Sequence, residues 1–95
     1  NVKLLIDVAH LKVSSRTLKF DPKDVFYKCK NYIGGYHLSD NNGISDTNSS
    51  FSDKAWFWKY LNKKTDYFSV EVYDLSKKKF LNLKKILLNK LNKTF

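Results

Sequence analysis

Cysteine and long apolar runs are scarce in this sequence, and each shortage excludes a class of protein. The single cysteine, Cys29, leaves no partner for an internal disulfide and no cysteine-based metal cluster, which fits a reducing compartment. No apolar run reaches the roughly 20 residues that a membrane-spanning helix needs. The first residues, NVKLLIDVAHLKV, are too polar for a signal peptide. We therefore expect a soluble domain held together by packing or by a partner.

Acidic residues are scarce at one end of the chain, so the net charge of +9 is unevenly distributed. Residues 1–58 carry eight basic and six acidic side chains, whereas residues 59–95 carry ten basic and three acidic ones. Residues 76–95 contain seven lysines and no acid. This excess of positive charge predicts an anionic partner, of which nucleic acid is the most common and a membrane surface the next.

Hydrophobic periodicity predicts a strand and a helix in the first third of the chain. Residues 2–13 alternate between apolar and polar positions, which is typical of a β-strand. Asp21 can then cap a helix, and Pro22 is favourable as its first residue. Gly34 and Gly35 supply a left-handed stop, so we expect a helix of about three turns before them.

The rest of the chain predicts a long loop, two strands and a final helix. Residues 36–54 are rich in Asn, Asp, Ser and Gly, which is typical of an exposed loop or of a hairpin arm with the tip NNG. AWFWKYL (55–61) alternates, and DYFSVEVYDL (66–75) alternates more clearly. Apolar residues at helical spacing from Phe80 to Leu91, with lysines around them, predict the last helix.

These elements define one small α+β domain (1–95). The order strand, helix, loop or arm, strand, strand, helix is five of the six elements of the split β-α-β, or ferredoxin-like, fold. We expect two helices on one face of an antiparallel sheet, with the last strand short or missing because the closing KTF supplies little of it. Since the final helix is needed to cover this sheet, we expect no membrane partner.

Catalysis receives little support from the sequence. His10 and His37 lie far apart, and neither stands at a spacing that is typical of a metal site or of a nucleophile and its base. Asp21 and Asp24 could bind a metal, but a helix cap explains both. We therefore expect no enzyme, metal, cofactor or small-molecule substrate. A pocket with convergent polar groups around His10 or His37 would reopen the question.

Four stretches give the chain a resemblance to a known family. VKLLIDVAHL supplies a strand of basic and apolar residues, FDPKDVFYKCKNYIGG a helix, and YHLSDNNGISDTNSSFSD a long arm. LNKKTDYFSVEVYDL then has a lysine turn, an acid, an aromatic residue and an alternating strand. In this order they resemble the small-subunit ribosomal protein S ten family, called NusE in bacteria, in a divergent mitochondrial form. Lys63 and Lys64 match the family's turn, and Asp66 and Phe68 match the strand after it.

The resemblance implies a structural, non-catalytic protein of the mitochondrial small ribosomal subunit that binds rRNA and neighbouring ribosomal proteins. Neutralisation of phosphates is expected from eight lysines of the second half of the chain. They are Lys59, Lys63, Lys64, Lys77, Lys78, Lys79, Lys84 and Lys85. Tyr36 and His37, at the base of the arm, are expected to stack on or hydrogen-bond to unpaired bases.

Contacts with a protein are the remaining expectation. Asp40, Asp46 and Asp53 make the arm acidic, so we expect it to face a basic protein neighbour. Trp56 and Trp58 belong to a predicted strand with aromatic residues on both faces, so at least one ring should meet a partner or the loop. The alternative function, from another class, is a non-catalytic interaction module of a virus or parasite. It would use the aromatic strand and acidic loop, while the lysines only maintain solubility.

Overall fold

The computed structural model of the protein describes residues 2–65, 67–73 and 76–91. These residues form a small α+β fold with three helices and one three-stranded parallel sheet. In chain order the elements are β1 (Leu4–Asp7), α1 (Val8–Leu18), α2 (Pro22–Cys29), β2 (Ile33–Leu38), a 3₁₀ turn (Trp58–Tyr60), β3 (Tyr67–Val70) and α3 (Lys77–Leu91).

The first strand is much shorter than its alternating sequence suggests. β1 ends at Asp7, whose side chain accepts a hydrogen bond from the backbone N–H of His10 at 2.9 Å and so caps α1. Val8 and Ala9, the first residues of α1, are fully buried. The prediction of one strand over residues 2–13 is therefore wrong, because a capping aspartate ends the strand inside an apolar run.

The second helix begins as predicted and ends early. The Asp21 side chain accepts a hydrogen bond from the backbone N–H of Lys23 at 2.9 Å, and the intervening proline is the first helical residue. The helix ends at Cys29, however, and both glycines lie inside β2. A Cβ on Gly35 would lie 2.7 Å from both the Cβ and the carbonyl oxygen of Tyr67. Glycine is needed here for the close approach of two strands and not for a helix stop.

The sheet is parallel, not antiparallel as expected. β2 lies between β1 and β3 and pairs in parallel with both, in a register that aligns Asp7 with His37 and His37 with Ser69. The chain returns to the same end of the sheet because α1 and α2 connect β1 to β2, and a long irregular segment connects β2 to β3. The antiparallel pairing of a ferredoxin-like sheet is thus absent from the described residues.

The aromatic stretch 55–61 is a further departure from prediction. It forms turns, including the 3₁₀ turn, and not a strand. Phe57 is fully buried and Trp58 nearly so. The ring of Phe51 meets both of them edge to face, with centroid separations of 5.3 and 5.6 Å. Burial of these rings in the core outweighed the strand propensity of the stretch.

Residues 39–57 form a long irregular segment without a helix or strand, and this segment is tied to the rest of the fold. β2 continues to Leu38, and the irregular segment after it is held by buried asparagines. Asn41 Nδ2 donates to the carbonyl oxygen of Ala9 at 3.0 Å, and Asn48 is likewise buried and hydrogen-bonded. Most of residues 42–54 are nonetheless exposed, so a long loop is present and several of its residues are anchored in the core. A single antiparallel bridge within the segment retains one feature of a hairpin.

The last strand and helix follow the sequence prediction. β3 lies within the predicted strand 66–75, of which residues 66, 74 and 75 are outside the described part. α3 includes the predicted stretch from Phe80 to Leu91 and begins earlier, at Lys77. The KTF segment, considered as a vestigial strand, also lies outside the described residues. No helix in the described ranges has the length and hydropathy needed to cross a membrane.

Candidate functional site at the carboxyl edge of the sheet

The carboxyl ends of the three strands meet at one edge of the sheet and bring ionisable side chains together. Asp7 is the last residue of β1, His37 is aligned with it in β2, and Glu71 directly follows β3. Parallel strands place such residues side by side because their carboxyl ends all lie at the same edge. We refer to Asp7, His10, His37, Asp46 and Glu71 as the carboxyl-edge cluster.

His10 is held between two carboxylates. Its Nδ1 lies 2.8 Å from Asp7 Oδ2, and its Nε2 is in close contact with Asp46 Oδ2. At the same time, Asp7 Oδ1 accepts the backbone N–H of His10 at 2.9 Å. One aspartate therefore both caps α1 and orients the imidazole of the helix that it caps.

His37 approaches the same aspartate from the neighbouring strand. Its Nδ1 lies 3.9 Å from Asp7 Oδ2, and its ring centroid lies 6.2 Å from that of Tyr67. The side chains of His37 and Asp7 are half-buried, with 30% and 26% of their surface exposed, whereas that of His10 is 63% exposed. Two imidazoles thus lie near one carboxylate, one on the sheet and one on the helix.

Hydrogen bonds tie the irregular segment to the end of β3. Asn48 Nδ2 donates to the carbonyl oxygen of Glu71, and the backbone N–H of Tyr73 donates to the carbonyl oxygen of Asn48, both at 3.1 Å. The hydroxyl of Tyr73 donates to Glu71 Oε1 at 3.3 Å. Asn48 has a left-handed backbone with a φ of 49°, which asparagine tolerates better than most residues. These bonds anchor the segment next to Asp46 and keep that carboxylate in contact with His10.

The carboxylates raise the pKa of His10. The hydrogen bond with Asp7 is the largest cause, desolvation opposes it, and the negative charges of the cluster carboxylates add to it. The pKa of Tyr73 is raised as well, first by the charge of Glu71. Both shifts have one origin, a local excess of negative charge in a protein whose net charge is +9. The cluster therefore favours a proton or another positive group at its centre.

Imidazoles and carboxylates are also the side chains that bind divalent metals. Within the described residues, however, no three His, Cys, Asp or Glu side chains are arranged so that they could hold a metal ion. Both ring nitrogens of His10 already contact carboxylates. The arrangement is one in which an imidazole can gain or lose a proton between fixed acceptors.

Two of the three acidic residues predicted to face a protein neighbour are in ion pairs within the molecule. Lys12 Nζ lies 2.9 Å from Asp40 Oδ1, and Asp46 contacts His10. Asp53 lines a cleft beside α3. The carboxylates of Asp40 and Asp46 are therefore engaged in holding the irregular segment against α1.

The two tryptophans predicted to meet a partner differ in burial. Trp58 is 7% exposed, and its Nε1–H donates to the carbonyl oxygen of Ser52 at 2.9 Å. Its assignment to a partner is therefore corrected, since the ring belongs to the core. Trp56 is half-buried and packs against Phe26 and Tyr60, with centroid separations of 6.1 and 6.2 Å.

The residues predicted to bind RNA fall into two groups. The lysines are exposed: Lys59, Lys63, Lys64, Lys77, Lys78, Lys79, Lys84 and Lys85. Tyr36 is fully buried, and its hydroxyl oxygen accepts the backbone N–H of Asn62 at 3.0 Å. The expectation that Tyr36 stacks on a base is therefore wrong. His37 belongs to the carboxyl-edge cluster.

Sequence reasoning alone does not group the cluster residues. His10 and His37 are far apart in the chain, Asp7 and Glu71 lie within predicted strands, and Asp46 lies within a predicted arm. A usable signal exists, because an ionisable residue lies near the end of each of the three stretches LLID, IGGYHL and YFSVE. These residues are brought to one edge only if the strands are parallel. The sequence led us to expect an antiparallel sheet, in which they would lie at opposite edges.

Comparisons with known proteins do not place this geometry in a family: no family model matches the chain, and no curated protein or solved structure matches it.

Proposed function

We propose that the carboxyl-edge cluster is an acid–base catalytic centre in which His10 transfers a proton to or from a bound substrate. The observation that carries the proposal is the His10 imidazole, held between Asp7 and Asp46 at the carboxyl ends of parallel strands. Ligands of open parallel sheets bind at this edge, beyond the strand ends. The expectation of no enzyme rests on the separation and spacing of His10 and His37 in the sequence and on the family resemblance, and the parallel sheet removes only the argument from their separation.

Each residue of the centre has a role in this proposal. Asp7 positions His10 through Nδ1 and stabilises its protonated form. A substrate group that takes the place of Asp46 at Nε2 would receive a proton from the charged imidazole or give one to the neutral imidazole, and the displaced carboxylate would accept a hydrogen bond from the substrate. His37, beside the same carboxylate, is available for the complementary proton transfer. A positioned acid or base of this kind typically accelerates a reaction by about 10²–10⁴-fold.

The charge of the cluster limits the substrate class. Asp7, Asp46 and Glu71 contribute three carboxylates, so the site stays net negative even when His10 is protonated. An anionic substrate is repelled by this charge, whereas hydroxyl and amine groups can donate hydrogen bonds to carboxylate oxygens. We therefore propose a neutral or cationic substrate that carries several hydroxyl or amine groups.

NMR spectroscopy of the full chain tests this function. The ring signals of His10 and His37 are followed while separate sets of neutral polyols and sugars, amines, and phosphorylated or carboxylated compounds are added. We expect only neutral or cationic compounds to shift both rings. In D₂O we expect at least one of them to be converted or to exchange a proton for deuterium, at a rate that falls at least about 100-fold in His10→Gln.

A matched pair of variants supplies the control. Asp46→Asn removes a carboxylate that contacts His10, and Asp53→Asn makes the same chemical change elsewhere in the irregular segment. We expect the first to weaken ligand binding and the second to leave it unchanged. Binding of anionic compounds alone, or conversion that is insensitive to His10→Gln, would refute the proposed centre.

As a second candidate function we propose the structural role expected from the sequence, an rRNA-binding constituent of a mitochondrial small ribosomal subunit in contact with neighbouring ribosomal proteins. The exposure of all eight predicted lysines supports it, because counterion release from bound phosphates would supply much of the affinity. The family resemblance also implies a ferredoxin-like arrangement, and the parallel pairing of the described strands counts against that part.

Sedimentation of organelle lysate on sucrose gradients, at low and at high salt, tests the second candidate. Mass spectrometry of the fractions locates the native protein. Co-migration with the small ribosomal subunit through moderate salt is the expected result. Migration as a free protein, or with a complex that contains no ribosomal RNA, would contradict it.

A further inference from the structure

A groove lies between α2, the segment 53–60 and α3, and shares no lining residue with the carboxyl-edge cluster. It consists of three adjoining clefts. Asp53 and Lys90 line both the first and the second, and Lys59 and Tyr60 line both the second and the third. The middle cleft has a volume of about 370 Å³. We refer to the three clefts together as the lysine groove.

Positive charge dominates the lining of the lysine groove. Its basic residues are Lys23, Lys30, Lys54, Lys59, Lys85 and Lys90. Asp53 is the one acidic residue among the described residues that line it. Within the described residues, none of these lysines forms an ion pair with a carboxylate. A surface that serves only solubility mixes charges of both signs, so this excess indicates an anionic ligand.

Aromatic rings lie among these lysines. Tyr27 is 69% exposed, with Lys30 Nζ 5.0 Å from its ring centroid, and Lys59 Nζ lies 5.1 Å from the centroid of Tyr60. Trp56 lines the middle cleft, and its buried Nε1–H has no hydrogen-bond partner among the described residues. Because that atom has almost no accessible surface, a ligand cannot reach it, so the aromatic contribution of the groove rests on the exposed ring of Tyr27.

We propose that the lysine groove binds single-stranded nucleic acid. A positively charged groove that follows the backbone, combined with aromatic faces on which bases stack, is the common arrangement for binding single strands. The bases of a duplex stack on one another and are not accessible to Tyr27, so a duplex could use only the lysines. The inference rests on the RNA binding of the second proposed function, and it names the surface and the form of nucleic acid.

The lining residues take different parts in this complex. The lysines neutralise successive phosphates and release their counterions. An unpaired base stacks on the exposed face of Tyr27. This division predicts that salt weakens the lysine contacts and leaves the stacking contribution largely intact.

Two triple variants of the full chain, each of which loses three positive charges, test the proposal. The groove variant combines Lys30→Gln, Lys54→Gln and Lys90→Gln. The control variant changes exposed lysines that neither line the groove nor belong to the eight lysines expected to bind phosphates: Lys3→Gln, Lys19→Gln and Lys28→Gln. Fluorescence anisotropy measures binding of a labelled oligouridylate of about 12 nucleotides over a range of salt concentrations.

We expect the groove variant to bind at least about tenfold more weakly than the unmodified chain. The slope of log affinity against log salt should fall by about 2, because each lost phosphate contact contributes about 0.7. The control variant should lose less than about threefold, since its lysines act only through the long-range field. Circular dichroism of both variants confirms that they are folded.

Tyr27→Ala tests the stacking contact separately. Tyr27 is exposed, so its removal leaves the core intact, and we expect about tenfold weaker binding. Tyr27→Phe keeps the ring and should keep the affinity. Tyr32→Ala is the matched control, because Tyr32 is 60% exposed and is not among the residues that line the groove.

The outcomes separate this inference from the function on which it rests. Equal losses in the two triple variants would mean diffuse binding, so the lysine groove would be wrong while RNA binding stands. A duplex of the same length that binds as tightly as the single strand would overturn the preference for single strands. No binding of the unmodified chain at about 0.1 M salt would overturn both.

Discussion

The carboxyl-edge cluster and the lysine groove use charge in opposite ways. In the cluster, opposite charges are in contact: His10 with Asp7, and His10 with Asp46. In the groove, six lysines share a lining with one carboxylate, that of Asp53. A proton or a polar molecule can enter the first region because carboxylates compensate a positive charge there, whereas the second region suits an anion. One short chain therefore has two surfaces that suit ligands of different charge.

The two regions also differ in what positions their side chains. The cluster depends on strand register and on the hydrogen bonds of Asn48 with the residues after β3. The groove depends on aromatic packing, in which Tyr60 stacks on Phe26 with centroids 5.2 Å apart. Because different contacts position the two sets of side chains, most substitutions should alter the geometry of one region and not of the other. Substitutions in the hydrophobic core that both regions share should alter both.

Phe57→Ala should have the largest effect, because it removes a ring from the core that both regions share. Phe57 is fully buried and packs against Phe51, Trp56 and Trp58. We expect a loss of about 3–5 kcal/mol in the free energy of unfolding, measured by urea denaturation. Phe80→Ala, at a site that is 51% exposed, is the control and should cost less than about 1 kcal/mol. Similar losses in both variants would contradict the assigned core.

Gly35→Ala should break the cluster and spare the groove. The new Cβ would lie 2.7 Å from the carbonyl oxygen of Tyr67, so β2 and β3 must move apart. We expect a loss of about 1–3 kcal/mol and a shift in the NMR signals of the His37 ring. Affinity for the labelled oligouridylate should not change. Unaltered His37 signals, or a loss of oligouridylate binding, would contradict the separation of the two regions.

Local chemistry predicted some elements of this fold correctly. The cap at Asp21 fixes the start of α2 because its side chain and the following proline act within one turn. The helical spacing of leucines predicted α3, and the alternation around Phe68 predicted β3. In each case the residues that determine the element lie within it, so a single stretch of sequence was sufficient.

The direction of the strands could not be predicted in the same way. Alternation is the same in parallel and antiparallel sheets, and the choice depends on how the connections pack. The first connection was misread because Asp7 could continue a strand or cap a helix, and only the tertiary context decides between them. The cluster could not be predicted for the same reason, since His10, Asp46 and Glu71 meet only if the strand ends share one edge of the sheet.

Asp7→Ala and Asp7→Asn should separate the two roles of this aspartate in the cluster. Alanine removes both the cap of α1 and the charge beside His10, so we expect a loss of about 1 kcal/mol in stability. Asparagine also caps helices, so Asp7→Asn should be close to the unmodified chain in stability. Both variants should lower the pKa of His10, which NMR titration measures. An unchanged pKa in Asp7→Asn would mean that the carboxylate does not hold the imidazole.

A change of pH should have the smallest effect on stability. It is also the most direct test of whether the carboxyl-edge cluster and the lysine groove are independent. The pKa of His10 in the folded protein is raised above its ordinary value of 6.5, chiefly by the hydrogen bond with Asp7. Protonation therefore favours the folded state: the contribution is complete below pH 6.5 and is lost as the pH rises through the folded pKa. The stability difference between the unmodified chain and His10→Gln should thus be largest near pH 5 and disappear by about pH 9.

Oligouridylate binding supplies the control for this titration, because no histidine lines the lysine groove in the described residues. Its affinity should stay constant while His10 loses its proton, since none of the cluster residues lines the groove. A difference in stability that grows with pH would mean that the charged imidazole is not stabilised by its carboxylates. An affinity that follows the titration of His10 would instead show that the two regions are coupled, and the cluster and the groove would then have to be treated as one site.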